Sequence, residues 1–218
     1  MGSELSGFMA WDQGMFEAIN KSMSNGFFDA LLPLFSDFSI WLVPLAILWI
    51  FYFVRTNRTG RLIAIGCFVV IAATDQISDN FLKPLVQRNR PCNVVPAAHY
   101  YDDHGDWITT DKFGLTTYKQ SFSFPSNHAA NIAGQAMYWS YFFPEVAPVM
   151  IIATVLVGYS RVYVGHHWPV DVLTGYLLGA LLAWLVARFL QRWVLPPQRH
   201  LEFIHIFSRQ AAEIPKEG

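Results

Sequence analysis

The sequence predicts an all-α integral-membrane bundle of five or six transmembrane helices. Hydrophobic residues make up 53% of the 218 residues and charged residues 14%, against roughly 25% charged residues in a typical soluble domain. Residues 38–54 form an apolar run without a charged residue, close to the ~20 residues that a spanning helix needs. The net charge of −1 gives no reason to expect a nucleic-acid partner.

Further helices follow that first run. We expect them at 62–82, 127–143, 149–163 and 169–193. In the last of these, Gly175 and Gly179 are four residues apart, a spacing that allows close contact between membrane helices. Residues 1–37 alternate apolar and charged side chains, which favours amphipathic helices at the membrane interface. A sixth spanning helix is the alternative for that stretch.

These elements divide the chain into three parts. We expect N-terminal interfacial helices at 1–37, a membrane domain at 38–195 and a polar cytoplasmic tail at 196–218. The segment 92–124, called the cap below, is expected to cover the outer side of the membrane domain. Residues 1–7 contain neither Lys nor Arg, so we expect no cleavable signal peptide.

The distribution of basic residues predicts the orientation in the membrane. The short loop 55–61 contains three arginines, and Arg188, Arg192 and Arg199 follow the last helix. Short basic loops favour the cytoplasmic side. Lys83, Arg88 and Arg90 then lie on the outer side, an exception that a functional site there would explain.

Three polar clusters lie at the ends of apolar runs, on the outer side by that count. They are Lys83-x6-Arg90-Pro91, Pro125-Ser126-Asn127-His128 and Ser160-Arg161-x5-His167-x3-Asp171. Together they supply three cations, two histidines, a carboxylate and a hydroxyl. This set suits the binding of a tetrahedral dianion, with a nucleophile and a proton donor to cleave it. At a membrane surface, the expected partner is a phosphorylated lipid in the bilayer.

The second and third clusters can be interpreted in terms of local structure. Ser126 is a typical N-cap residue, and the free N–H groups behind it can bind phosphate oxygens. Asp171 follows His167 by four residues, so we expect its carboxylate to accept a hydrogen bond from the ring and leave the other nitrogen free to attack. His166 is the alternative to His167. His128 is placed to act as general acid on the same phosphate.

A metal site is the competing interpretation of the histidine-rich regions. The cap contains His99, Asp102, Asp103, His104 and Asp106. Their spacing matches no specific zinc or calcium signature. We therefore interpret them as a solvated loop and expect no metal.

Taken in order, the three clusters resemble the signature of the type 2 phosphatidic acid phosphatase family. These integral-membrane lipid phosphatases are related to acid phosphatases and vanadium haloperoxidases, so the resemblance implies a core of that kind. It implies phosphate binding by Lys83, Arg90, Ser126, Asn127 and Arg161. It implies that His167 forms a phosphohistidine, that Asp171 orients it, and that His128 acts first as acid and then as base, without a metal or other cofactor. Asn127 departs from the family, which commonly has glycine there.

Several alternatives stay open from the sequence. The substrate could be undecaprenyl pyrophosphate, phosphatidylglycerol phosphate, phosphatidic acid or a lipid A. The protein could be a phosphotransferase that passes phosphate to another lipid, or a transporter or scaffold without turnover. The oligomeric state is equally open.

Overall fold

The computed structural model describes residues 2–111 and 116–195, with side chains from residue 7 onward. The helices are α1 (Gly2–Glu17), α2 (Gly26–Ser36), α3 (Phe38–Arg55), α4 (Arg58–Ile77), α5 (Lys83–Val86), α6 (Pro91–Val94), α7 (Asn127–Phe142), α8 (Ala147–Tyr163) and α9 (Pro169–Phe189). π-Helical turns continue three of them at Ala18–Ser22, Ser78–Leu82 and Leu190–Val194, and a 3-10 turn, Pro144–Val146, precedes α8. The expected tail 196–218 lies outside the described residues.

Four helical segments are long and apolar enough to cross a membrane. They are Phe38–Arg55, Arg58–Val94, Pro144–Tyr163 and Pro169–Val194. These segments contain the expected helices at 38–54, 62–82, 149–163 and 169–193, and the predicted integral-membrane helical class is confirmed. The expected helix at 127–143 is present as α7, but its 16 residues measure only about 24 Å at 1.5 Å per residue.

α7 occupies the middle of the bundle, where it packs against α4, α8 and α9. Its backbone almost touches that of α9. A Cβ atom at Gly179 would lie 1.9 Å from the carbonyl oxygen of Ala130, and one at Gly175 would lie 2.6 Å from that of Ser126. The close contact expected from the spacing of these glycines is therefore confirmed. It brings the first residue before α7 against the first turn of α9, where the Ser126 N–H donates to the Asp171 carbonyl over 3.0 Å.

The described part of the cap lies against the turn between α8 and α9. It contains α6 and an antiparallel hairpin of β1 (His99–Tyr101) and β2 (Trp107–Thr109). The N–H groups of Cys92 and Tyr101 donate to the carbonyls of Gly165 and Val164, each over 3.2 Å. Gly165 has φ +79° and a Cβ there would lie 2.8 Å from the His99 carbonyl oxygen, so this position requires glycine for both backbone and space.

α1 packs beneath this region through a buried aromatic contact. Phe16 is fully buried, and its ring centroid lies 5.4 Å from that of Trp168. Both side chains belong to one apolar cluster with residues of the cap, α7, α8 and α9. The N-terminal helix is thereby fixed beside the turn between α8 and α9.

Replacing Gly179 with Ala should loosen the α7–α9 contact, because the new methyl group meets backbone that cannot rotate away. We expect a lower melting temperature in detergent, corresponding to about 1–3 kcal/mol of lost stability. Gly14→Ala is the matched control, since nothing lies within 4 Å of a Cβ at that position. Equal melting temperatures for the two variants would contradict the packing described above.

Candidate active site

A tight turn between α8 and α9 contains both histidines of the third cluster. The N–H groups of His166 and His167 donate to the Arg161 carbonyl, over 3.2 and 3.1 Å. On the other side, the Trp168 N–H donates to Oδ2 of Asp171 over 3.0 Å, a capping interaction at the start of α9. The turn is thus closed by hydrogen bonds to the helices before and after it.

The His167 ring is buried and has a defined tautomer. Nδ1 lies 2.9 Å from the Ser123 carbonyl oxygen, and Nε2 lies 3.1 Å from Nη1 of Arg90. A carbonyl can only accept and a guanidinium can only donate. Nδ1 therefore carries the hydrogen, and Nε2 has the lone pair that a nucleophile needs.

Asp171 does not make the hydrogen bond that the sequence suggested. Its Oδ2 lies 3.7 Å from Nδ1 of His167, too far for a hydrogen bond, and the Ser123 carbonyl takes that place. The physical reason is that His167 precedes α9, so the four-residue helical spacing does not bring the two side chains face to face. The Asp171 carboxylate instead binds the Trp168 N–H and Nη1 of Arg88, the latter at 2.8 Å.

Arg90 is bound by neutral groups only. Besides His167, its guanidinium donates to the Ser121 carbonyl (2.8 Å), the Ser121 hydroxyl (3.0 Å), the Phe122 carbonyl (3.2 Å) and the His166 carbonyl (3.0 Å). The end of the cap therefore fixes this cation beside the nucleophile. Its charge is not neutralised by these contacts.

The hydrogen-bond partners of Arg161 among the described residues are also neutral groups. Nη1 donates to the hydroxyl and the carbonyl of Ser36, at the end of α2, and Nη2 lies 2.6 Å from Nδ1 of His166. Among the described residues, its buried Nε has no hydrogen-bond partner. Within residues 7–111 and 116–195, neither Arg90 nor Arg161 forms a salt bridge.

His166, the alternative to His167, holds Arg161 in place. Its Nε2 lies 2.8 Å from the Tyr101 carbonyl, an acceptor, so Nε2 carries the hydrogen and Nδ1 accepts from Arg161. Both ring nitrogens of His166 are therefore hydrogen-bonded, one to the cap hairpin and the other to Arg161.

The second cluster begins α7 as expected. Ser126 is fully buried, and its hydroxyl accepts from the Ala129 N–H over 3.5 Å. His128 is half-buried and has no hydrogen-bond partner in the described part of the chain. Asn127 turns towards α4, where its amide donates to Asp79 over 2.8 Å and to Asp75 over 3.3 Å.

Lys83 also contacts Asp79, one of the two carboxylates bound by Asn127. Its Nζ lies 2.6 Å from Oδ1 of Asp79. Four of the candidate phosphate-binding residues therefore form two separate sets of contacts. Arg90 and Arg161 contact the histidine turn, whereas Lys83 and Asn127 meet through Asp79.

The pKa values of both turn histidines are lowered well below the ordinary value. Burial is the main cause for each. For His167 the charges of Arg90 and Arg161 follow, with contributions from His166 and His128. The electrostatic coupling to His128 shows that the second cluster lies near the third. Both turn histidines are neutral at pH 7.

Sequence reasoning missed several residues that shape this site. They are Asp12, Ser36, Ser121, Phe122 and Ser123. Most of them act through backbone carbonyls, which leave no signature in residue type. Arg88 was noticed only as a cation on the outer side. Asp12 had one signal, a charge among the mainly apolar residues between Phe8 and Phe16.

The alternative metal cluster does not assemble. His99 lies 2.9 Å from Asp29, and Asp102 accepts the N–H groups of His104 and Asp106. Among the described residues, no group of three or more His, Cys, Asp or Glu side chains is placed to hold a metal ion.

Comparison with known proteins decides the family. Residues 64–195, which include all three clusters, match the model of the PAP2 superfamily. The chain belongs to this superfamily. A transmembrane PAP2-type phosphatidylglycerolphosphate phosphatase from Bacillus subtilis has a similar crystal structure, with a TM-score of 0.59 and 25% identity, covering 86% of this chain and 89% of that one.

The names of two relatives of this PAP2 protein indicate different lipid substrates. An undecaprenyl-diphosphatase of Sulfolobus acidocaldarius is 33% identical over 67% of this chain and 61% of that protein. Phosphatidylglycerophosphatase B of Bacillus subtilis is 34% identical over 63% of this chain and 61% of that protein. The chain thus spans about three fifths of the length of each.

Stability should fall as the pH drops from 7 to 5. In the unfolded chain a histidine takes up a proton near its ordinary pKa of about 6.5, whereas folded His166 and His167 stay neutral, so acid favours unfolding by about 2 kcal/mol per histidine at pH 5. We expect His167→Asn to reduce the fall in melting temperature across this range. His104→Asn, in the exposed cap turn, should keep the wild-type fall. An unchanged pH dependence in His167→Asn would contradict a neutral buried ring.

Proposed function

We propose that this PAP2 protein is a membrane phosphatase that hydrolyses a phosphomonoester or a pyrophosphate of a lipid through a phosphohistidine on Nε2 of His167. One observation carries the proposal. The Ser123 carbonyl fixes the hydrogen on Nδ1 of His167, and the lone pair of Nε2 lies 3.1 Å from the buried guanidinium of Arg90. A nucleophile is thus placed against a cation that can hold the phosphate under attack.

The phosphate would bind where the two guanidinium groups converge on the turn. Neither Arg90 nor Arg161 forms a salt bridge with a carboxylate among the described residues, and charge-assisted hydrogen bonds to a dianion are strong in such a setting. Ser126 and the free N–H groups at the start of α7 add donors of the helix N-terminal kind. Lys83 completes the set once it leaves Asp79.

The first step transfers the phosphoryl group to the enzyme. Nε2 of His167 attacks phosphorus in line, an N–P bond forms, and the bond between phosphorus and the leaving oxygen breaks. His128 donates a proton to that oxygen, so the dephosphorylated lipid (or the lipid monophosphate, from a pyrophosphate) leaves neutralised at that position. Arg90 and Arg161 stabilise the equatorial oxygens, which carry more charge in the transition state.

The second step restores the enzyme. His128, now without its proton, removes one from a water molecule as that water attacks phosphorus. The N–P bond breaks, inorganic phosphate forms, and His167 regains its neutral ring. The guanidinium groups supply the positive charge for both steps, so we expect activity in the presence of a chelator.

Charge distribution supports an outer-face site in a bacterial plasma membrane. The histidine turn lies at the end of α8 and the start of α9. The loop between α3 and α4 and the end of α9 lie at the other end, with Arg55, Arg58, Arg188 and Arg192, and basic ends favour the cytoplasm. Lipid phosphates and pyrophosphates in the outer leaflet are therefore the substrates we propose, with α1 and α2 at the interface.

His167→Ala should abolish phosphate release, by at least about 10³-fold, because no other histidine ring among the described residues lies within hydrogen-bond distance of Arg90. The measurement is free phosphate from a panel of undecaprenyl pyrophosphate, phosphatidylglycerol phosphate and phosphatidic acid in detergent, with chelator present. A melting temperature near that of the wild type controls for folding. Normal release by the folded variant would disprove the assignment, and loss of wild-type activity with chelator would disprove the metal-free mechanism. An added acceptor lipid that becomes phosphorylated would identify a phosphotransferase.

Asp171→Asn should leave weak activity, about 10- to 100-fold below the wild type in kcat. The amide can still accept the Trp168 N–H, but it loses the charge that binds Arg88, so the turn is held less firmly while the nucleophile remains. The same phosphate assay provides the measurement. Wild-type kcat in this variant would argue against an orienting role for Asp171.

A further inference from the structure

α1 carries a carboxylate into the interior beside the histidine turn. Asp12 is fully buried, although it lies outside residues 64–195 that match the superfamily. Its Oδ1 accepts the Val170 N–H over 3.0 Å, and its Oδ2 forms a short salt bridge with Nη2 of Arg88. A buried carboxylate is costly unless it is paired and hydrogen-bonded, and Asp12 has both kinds of partner.

Arg88 connects Asp12 to Asp171. Nη2 binds Asp12, Nη1 lies 2.8 Å from Oδ1 of Asp171, and the guanidinium stacks on the Trp168 ring at 4.9 Å from its centroid. The two carboxylates also accept the backbone N–H groups of Trp168 and Val170. The chain Asp12–Arg88–Asp171 therefore encloses the residues that directly follow His167.

The backbone of the same segment holds the other side of His167. The Arg88 carbonyl accepts the N–H of Ser123 over 2.8 Å and its hydroxyl over 3.1 Å. The Ser123 carbonyl in turn accepts Nδ1–H of His167. The position of Arg88 thus determines both the turn that carries His167 and the acceptor that sets its tautomer.

We infer that Asp12 and Arg88 are positioning residues for the nucleophile and that α1 is a working part of the active site. The inference rests on the proposed role of His167. Neither residue touches the phosphate, and Arg88, engaged by two carboxylates, is not available as a further phosphate-binding cation. A displacement of about 1 Å in the attacking atom can cost about 10²-fold in rate, so loss of this support should appear in kcat.

The salt bridge is not needed to keep α1 in place. Phe16 packs on Trp168 within a buried apolar cluster, and Lys21 donates to the Pro96 carbonyl of the cap over 2.9 Å. Asp12→Asn keeps the shape of the side chain and an oxygen for the Val170 N–H, and it removes the charge that fixes Arg88. This variant therefore separates positioning from docking of the helix.

The test compares Asp12→Asn with the wild type and with Glu17→Gln, a more exposed carboxylate on the same helix that pairs with Lys21. We expect Asp12→Asn to lower kcat by about 10- to 100-fold, with KM and inhibition by inorganic phosphate unchanged within about twofold. Single-turnover formation of the phosphohistidine should slow by the same factor, and the melting temperature should stay near that of Glu17→Gln. Arg88→Lys, which cannot reach both carboxylates with one fork, should show the same separation of kcat from KM.

The outcomes are distinguishable. Wild-type kcat in Asp12→Asn, or a raised KM with kcat unchanged, overturns the inference. A double variant Asp12→Asn/Arg88→Lys whose loss equals the product of the single losses also overturns it, because residues that act through one chain should not be additive. If Asp12→Asn does not fold, Arg88→Lys decides by the same criteria. Activity in His167→Ala would instead disprove the proposed function, whatever the result at Asp12.

Discussion

The site depends on two buried guanidinium groups that are bound by neutral acceptors. Arg90 is held by carbonyls and a hydroxyl of the cap and the turn, and Arg161 by Ser36 and a neutral histidine. Burying charge without an opposite charge is costly, and the surrounding fold must supply that free energy. In return, the positive potential remains for a phosphate. The same potential, added to burial, lowers the pKa of His167 and keeps its lone pair available.

The carboxylates near the site form salt bridges with cations other than Arg90 and Arg161. Asp12 and Asp171 bind Arg88, which lies beside the turn, and Asp79 binds Lys83 at the edge of α4. The two kinds of pair differ in strength. The Asp79 side chain is about half exposed and the Lys83 side chain is 13% exposed, so water screens this pair more than it screens the pairs of Arg88 with the buried carboxylates of Asp12 and Asp171. Asn127 donates to the same Asp79 carboxylate, which connects the start of α7 to Lys83.

The sequence alone predicted the membrane helices, a close helix contact at Gly175 and Gly179, and the residues that surround the turn, because these follow from apolar runs, glycine spacing and a dense motif. It misjudged how His167 is oriented, because the four-residue rule holds within a helix and Pro169 begins α9 only after His167. The Ser123 carbonyl could not have been foreseen, since backbone acceptors carry no residue signature. Asp12 and Arg88 are 76 residues apart, and only the packing of α1 against the turn brings them together.

Residues 1–37 differ in composition from the membrane domain, yet they bind two arginines near His167. Ser36, the last residue of α2, provides two of the acceptors of Arg161, and Asp12 on α1 provides half of the support of Arg88. Ser36 thus binds Arg161, six residues before His167, and Asp12 also accepts the N–H of Val170, three residues after it. A shift of α1 and α2 relative to the bundle would therefore move a phosphate-binding cation and the nucleophile's support together.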